Sequence, residues 1–158
     1  MSIPPPPPLS FPSEPPLGAP YYGASIGVAF TRYWKKYATF TGRASRSEYW
    51  WWALIYFIVA VVLEVVLVSV TASTAVVSDD GTVALGPAYF VVIALVWIIS
   101  LGTLVPSLAI VWRRLHDTNR SGGYYFLSFI PLVGGIIVLV FLASSSNPAG
   151  ARFDQPQS

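Results

Sequence analysis

The chain has 158 residues, of which 54% are hydrophobic and only 10% carry a charge. Soluble domains carry about 25% charged residues, so this composition indicates a single-domain membrane protein. The chain has no cysteine, which excludes disulfides, thiolate nucleophiles and sulfur-ligated metals.

Residues 1–25 are rich in proline and include an unbroken proline run at residues 4–8. Such a segment has few backbone donors and little apolar mass, so we expect a disordered tail with polyproline II character. It has neither the basic start nor the apolar stretch of a signal peptide. Two interpretations stay open: the tail binds a partner domain that recognises proline, or it is only a solvated tail.

The segment 26–37 has the spacing of a short amphipathic helix. One face carries Ile26, Phe30, Tyr33, Trp34 and Tyr37. The other faces carry Arg32, Lys35 and Lys36. We expect a cytoplasmic helix that lies at the lipid headgroups or packs on the protein itself. Three basic residues are too few for a nucleic-acid surface, so no nucleic-acid partner is expected.

Three apolar runs follow, at residues 49–70, 89–112 and 124–143. A helix needs about 20 apolar residues to cross the roughly 30 Å hydrocarbon layer. Helices are the expected form because each backbone polar group must be paired within its own segment. The sequence therefore predicts an all-α membrane protein with three transmembrane helices inside a domain of residues 26–156.

The basic residues are unevenly distributed around these runs. Five lie before the first run, three lie between the second and the third, and one follows the third, whereas the loop 71–88 has none. The positive-inside rule then places the N-terminus in the cytoplasm and the C-terminus outside it. We therefore expect a multi-pass protein of the bacterial inner membrane.

Four of the polar residues inside the predicted spans are candidates for a functional or packing role. Glu64 is the one charged residue of the first span, and an ionisable group within a membrane is a functional candidate by default. The alternative is a Glu64 that is protonated or reaches water near the outer headgroups. Ser100, Thr103 and Ser107 share one face of the second span, where small polar residues favour close helix packing or line a path.

Two charged stretches, residues 42–48 and 113–123, flank the first and second spans. We expect them to meet in a cytoplasmic cap that is structural or binds anionic headgroups. Its candidate residues are Arg43, Arg46, Glu48, Arg113, Arg114, His116, Asp117, Arg120 and Ser121.

The expected ion pairs of this cap follow from the geometry of arginine, whose planar fork suits a carboxylate. Asp117 should accept from Arg43 or Arg46. Glu48 should accept from one of three arginines, namely Arg113, Arg114 and Arg120. One histidine beside one aspartate is too few ligands for a metal site. We therefore assign no catalytic, cofactor-binding or metal residue and expect no enzyme.

The stretches FTGRASRSEYW (residues 40–50) and RRLHDTNRSG (residues 113–122) resemble the two signatures of the YhaH/YhaI-like bacterial inner-membrane proteins, domain of unknown function 805. The resemblance extends over residues 26–156, and the ending GARFD at 150–154 keeps only part of the family pattern. It implies a three-helix plasma-membrane protein without an established activity, and it adds no reaction.

Two functions remain open. The first is a non-enzymatic scaffold or modulator of membrane partners, with the proline-rich tail reaching into the cytoplasm. The second is a small transporter or channel subunit, in which Glu64 and the serine–threonine face line a path after the chain assembles with further copies of itself.

Overall fold

The computed structural model describes residues 14–154, which are mostly helical. The proline run at 4–8, predicted to be disordered, lies outside the described residues. In chain order the elements are α1 (Ile26–Lys35), α2 (Arg46–Thr74), β1 (Val76–Val77), β2 (Val83–Ala84), α3 (Pro87–Asp117), a first 3-10 helix (Gly122–Phe129), α4 (Gly134–Ala143) and a second 3-10 helix (Pro148–Phe153).

The helices α2 and α3 form an antiparallel pair that is long enough to cross a bilayer. They have 29 and 31 residues, or roughly 45 Å each at 1.5 Å per residue. Ser45 and Glu48 start α2 with reciprocal hydrogen bonds between side chain and backbone, which satisfy donors that a helix start leaves free. The short antiparallel pair of β1 and β2 connects the two helices.

The most apolar 18-residue window of α2 has no buried residue, and that of α3 is 11% buried. Soluble proteins rarely expose so large an apolar surface. Such a surface suits a helix surrounded by acyl chains.

The third apolar run does not form the single spanning helix that we expected. The first 3-10 helix ends at Phe129, and Leu132 lies at an exposed turn with a positive φ of 67°. The helix α4 then has only 10 residues, or about 15 Å, which is half of the hydrocarbon thickness. Pro131 lacks an amide hydrogen and opposes a continuous helix at this turn.

The two halves of this run fold back on each other, and we call residues 122–143 the apolar hairpin. A Cβ atom on Gly134 would lie 1.9 Å from the carbonyl oxygen of Leu127, so the close approach of the two backbones requires glycine. At the other end of the hairpin, Leu142 packs on Leu115 and its carbonyl accepts from Arg114 Nε at 2.9 Å. The hairpin therefore begins and ends beside the end of α3.

This return path brings the two ends of the described chain together, whereas the charge count predicted them on opposite sides of the membrane. The amide of Gly42 donates to the carbonyl of Phe153 at 2.9 Å, so the segment before α2 contacts the segment after α4. We call this side the polar end, defined as residues 14–48, 113–123 and 144–154.

Tyr33 is the one residue of the aromatic face of α1 that is buried against α2 and α3, and the other four side chains of that face are exposed. The ring of Tyr33 stacks on Trp52 with 3.4 Å between ring centres, and its hydroxyl donates to the Thr103 carbonyl at 3.2 Å. The Tyr37 hydroxyl donates to the Gly102 carbonyl at 2.8 Å. The membrane-surface location of this helix stays a prediction.

Residues 14–25, which we expected to belong to the disordered tail, are instead packed on the rest of the polar end. The Tyr22 hydroxyl donates to Asp117 at 2.8 Å, and the amide of Ala24 donates to Ser47 Oγ at 3.0 Å. Ala24 is buried. Composition predicted a solvated segment because its high proline content outweighed the few residues that make these contacts.

Candidate functional site at the polar end

Asp117 is the centre of one buried network. Its side chain is completely buried and accepts from Tyr22 at 2.8 Å, from Ser146 at 2.5 Å and from Arg114. Arg43 lies 4.0 Å away, so the expected contact between the two charged stretches is present. One carboxylate thus joins the N-terminal segment, the start of α2, the end of α3 and the chain after the hairpin.

Glu48 is the centre of a second network, and here the predicted partners are wrong. Its Oε1 accepts from Arg32 Nε at 2.7 Å, and its Oε2 accepts from the amides of Ser45 and Tyr21 at 2.9 and 3.1 Å. The sequence predicted Arg32 on a helix that lies at the headgroups or packs on the protein, and it paired Glu48 with arginines of the stretch 113–123. The remaining hydrogens of Arg32 go to Glu14 and to the carbonyls of residues 15, 16 and 19.

The C-terminal segment is held by two contacts. Arg43 binds Asp154 through Nε at 2.9 Å and Nη2 at 2.7 Å, and these hydrogen bonds raise the pKa of Arg43 above its ordinary value. The His116 ring stacks on Phe153 with 4.1 Å between centres, while its Nδ1 lies 3.0 Å from the Gly42 carbonyl oxygen. His116 therefore has a packing role.

The other predicted cap residues differ in their surroundings. Arg114 is fully buried and donates to Asp117 and to the carbonyls of residues 142 and 144. The Arg120 guanidinium lies 4.1 Å from the centre of the Phe141 ring. Ser121 Oγ accepts from the amide of residue 123 at 3.3 Å, as a turn residue would. Arg46 is exposed at the start of α2.

Two cations at the polar end are buried without an acidic partner in contact. Lys36 is 4% exposed and Arg113 is 2% exposed. Among residues 14–154, no carboxylate lies within 4.0 Å of either side-chain charge. Burial lowers the pKa of Lys36 to about 8. Sequence reasoning missed Lys36 because helical spacing placed it off the aromatic stripe, on a face expected to be solvated.

The polar residues within the predicted spans lie along a cleft between α2 and α3. Ser100, Thr103 and Ser107 help to line a part of about 500 Å³. Glu64 is exposed and lines a second part of about 170 Å³ that Ser100 also borders. The Ser107 hydroxyl is hydrogen-bonded to Tyr33 at 3.0 Å, and Thr103 donates to a carbonyl of its own helix.

Within residues 14–154, no three side chains of histidine, aspartate or glutamate gather where they would hold a metal ion. The described carboxylates of the polar end instead each pair with an arginine. The chemistry of this end is the fixation of segments by charge-assisted hydrogen bonds.

Residues 37–155 match the model of a family described as a protein of unknown function (DUF805). The chain is 34% identical to the inner membrane protein YhaI of Escherichia coli K12 over 119 residues, which cover 75% of this chain and 86% of that protein. It is 32% identical to the inner membrane protein YhaH of the same strain, over 75% of this chain and 87% of that protein. No solved structure matches. The apolar helices and these relatives agree that the chain is a membrane protein, and it belongs to the DUF805 family of unknown function.

Proposed function

We propose that the protein is a non-enzymatic scaffold that presents its proline-rich N-terminal segment at the cytoplasmic surface of the inner membrane. The observation that carries this proposal is the attachment of residues 14–25 to the polar end. Glu14 lies 3.3 Å from Arg32, and Tyr22 donates to Asp117 at 2.8 Å. The prolines at 4–8 thus precede this fixed point by six to ten residues, where a domain with an aromatic groove would find them.

The cytoplasmic location of the polar end is part of the proposal. All nine Lys and Arg residues of the chain lie in the segments that form the polar end or at the adjoining start of α2. The loop between α2 and α3 has Asp79 and Asp80 and no basic residue. The positive-inside rule then favours two spans with both chain ends in the cytoplasm, and a hairpin that enters the membrane and returns.

Labelling of single cysteines tests this topology, because the natural chain has none. In spheroplasts, a membrane-impermeant maleimide should label Val77→Cys, in the loop between the spans. It should label Leu9→Cys and Gln157→Cys only after permeabilisation. Labelling of Gln157→Cys in intact spheroplasts would indicate a third span and refute the hairpin topology.

The scaffold itself is tested by a photo-crosslinking amino acid at Leu9 in living cells, with one at Val77 as the control. We expect a discrete adduct from Leu9 alone, and its loss when the prolines at 4–8 are replaced by serine. The variant should keep its expression level and thermal stability. An adduct that survives the replacement, or no adduct at all, would refute the scaffold.

The transporter alternative is favoured by Glu64, which is exposed in the cleft between α2 and α3. Two of its expected companions, Thr103 and Ser107, are already hydrogen-bonded within the protein. This favours a packing role for that face. If vesicles that contain the folded Glu64→Gln variant lose an uptake activity of the natural protein, the transporter function would be favoured over the packing role.

A further inference from the structure

The polar end holds more buried positive charge than its carboxylates match. Arg32, Lys36 and Arg113 are each at most 4% exposed, and Glu48 is the buried carboxylate whose charge acts on both Lys36 and Arg113. Both oxygens of Glu48 are already used by Arg32 and by two amides. Lys36 and Arg113 therefore share a carboxylate that neither contacts.

Arg113 is the clearer of the two cases. Its Nε donates to the Ala109 carbonyl at 3.1 Å. Its Nη2 is fully enclosed and has no hydrogen-bond partner within residues 14–154. A buried guanidinium has lost its hydration, and hydrogen bonds to an anion recover much of that loss.

We propose that Lys36 and Arg113 form a binding site for a phosphate group, between the residue that follows α1 and the C-terminal part of α3. An anion of one or two negative charges matches the excess of the cluster. Phosphate oxygens accept from the planar fork of arginine and from the three hydrogens of a lysine ammonium group. The site does not depend on the proposed scaffold function.

The location fits a phosphate at the membrane surface. Arg113 directly follows the apolar part of α3, so it lies at the level where headgroup phosphates meet the acyl chains. Arg114, its neighbour, is occupied by Asp117 and two carbonyls, and this leaves Arg113 as the free cation of the pair. The ligand is either the phosphate of an anionic lipid or inorganic phosphate.

The protonation of Lys36 agrees with this site. Its pKa is lowered to about 8 by burial and by the charges of Arg113 and Arg32, while Glu48 and Asp154 act in the opposite direction. A bound phosphate would add negative charge and raise the pKa of Lys36 again. Binding should therefore weaken between about pH 8 and pH 10, where the free site has lost its proton.

The test uses the full chain, delipidated in dodecyl maltoside, a detergent without phosphate. Tm is measured while inorganic phosphate is added at constant ionic strength, and separately while phosphatidylglycerol is added to the micelles. At saturation we expect a rise of about 5 °C from one of the two. A rise with inorganic phosphate identifies the free anion, and a rise with the lipid alone identifies a headgroup.

Lys36→Met is the decisive variant, and Lys35→Met is its control, because Lys35 is exposed on the same helix. Lys36→Met should abolish the rise in Tm and Lys35→Met should keep it. Lys36→Arg should keep the rise and extend it to pH 10. No rise in the natural protein, or an equal rise in Lys36→Met, would overturn the proposal. The Lys36 variants test the site without any change to Arg113, whose replacement by methionine could prevent folding.

Discussion

Replacing Asp117 by alanine should destabilise the protein more than any loss of an exposed ion pair. The side chains of Asp117 and Arg114 are both fully buried. Removal of the carboxylate leaves a buried guanidinium without its anion, which typically costs about 3–5 kcal/mol. Tyr22 and Ser146 also lose the acceptor of their hydroxyl hydrogens.

For a chain of this length, Tm changes by about 2–4 °C for each kcal/mol, so Tm of Asp117→Ala should fall by about 10 °C. Thermal unfolding in dodecyl maltoside, followed by tryptophan fluorescence, measures this. Asp79→Ala is the matched control, because Asp79 is an exposed carboxylate of the loop between α2 and α3. Its effect should stay within about 0.5 kcal/mol.

The double variant Asp117→Ala with Arg114→Met separates the buried charge from the lost contacts. If the unpaired guanidinium dominates the cost, the double variant should be more stable than Asp117→Ala alone. A loss below about 1 kcal/mol for Asp117→Ala, as for a surface pair, would refute the reasoning. It would mean that water or another group replaces the carboxylate.

Three further outcomes are expected in the same detergent. Gly134→Ala should lower Tm strongly, because its Cβ would lie 1.9 Å from the Leu127 oxygen, whereas Gly135→Ala has open space and should not. In the absence of phosphate, the unfolding free energy should rise by up to about 3 kcal/mol between about pH 8 and pH 10.5. In that range Lys36 keeps its proton in the unfolded chain and has lost it in the folded chain, so a higher pH favours the folded state. Lys36→Met should abolish that rise. Tyr33→Phe should lose about 1 kcal/mol, since its hydroxyl hydrogen-bonds to α3.

The two long helices follow from the sequence because their apolar runs exceed the bilayer thickness and polar residues bound them. The meeting of residues 42–48 with 113–123 also follows, since Arg43 lies 4.0 Å from Asp117. The partner of Glu48 does not follow. Its choice depends on the position of α1, which Trp52 fixes by stacking on Tyr33, and no pattern in the sequence encodes that long-range contact.

The apolar hairpin shows why hydropathy alone does not predict the path of an apolar run. A run of 20 apolar residues is equally apolar whether it crosses the bilayer or turns back at its middle, so the count of residues cannot separate the two. The separating signals are Pro131, which opposes a continuous helix, and Gly134, where the two backbones approach too closely for a side chain.

The turn at the hairpin tip changes the charge argument as well. With a third span, Arg152 would lie across the membrane from the other basic residues; with the hairpin, its Nη2 lies 3.4 Å from the Asn119 carbonyl oxygen at the polar end. The one exception to the charge bias is thereby removed. Cytoplasmic loops are the ones enriched in Lys and Arg. An arrangement with all nine basic residues on one side of the membrane therefore agrees better with this rule than one with eight of the nine on that side. The ion pair between Arg43 and Asp154 holds the C-terminal segment at this same end, and this agrees with the proposed topology of two spans.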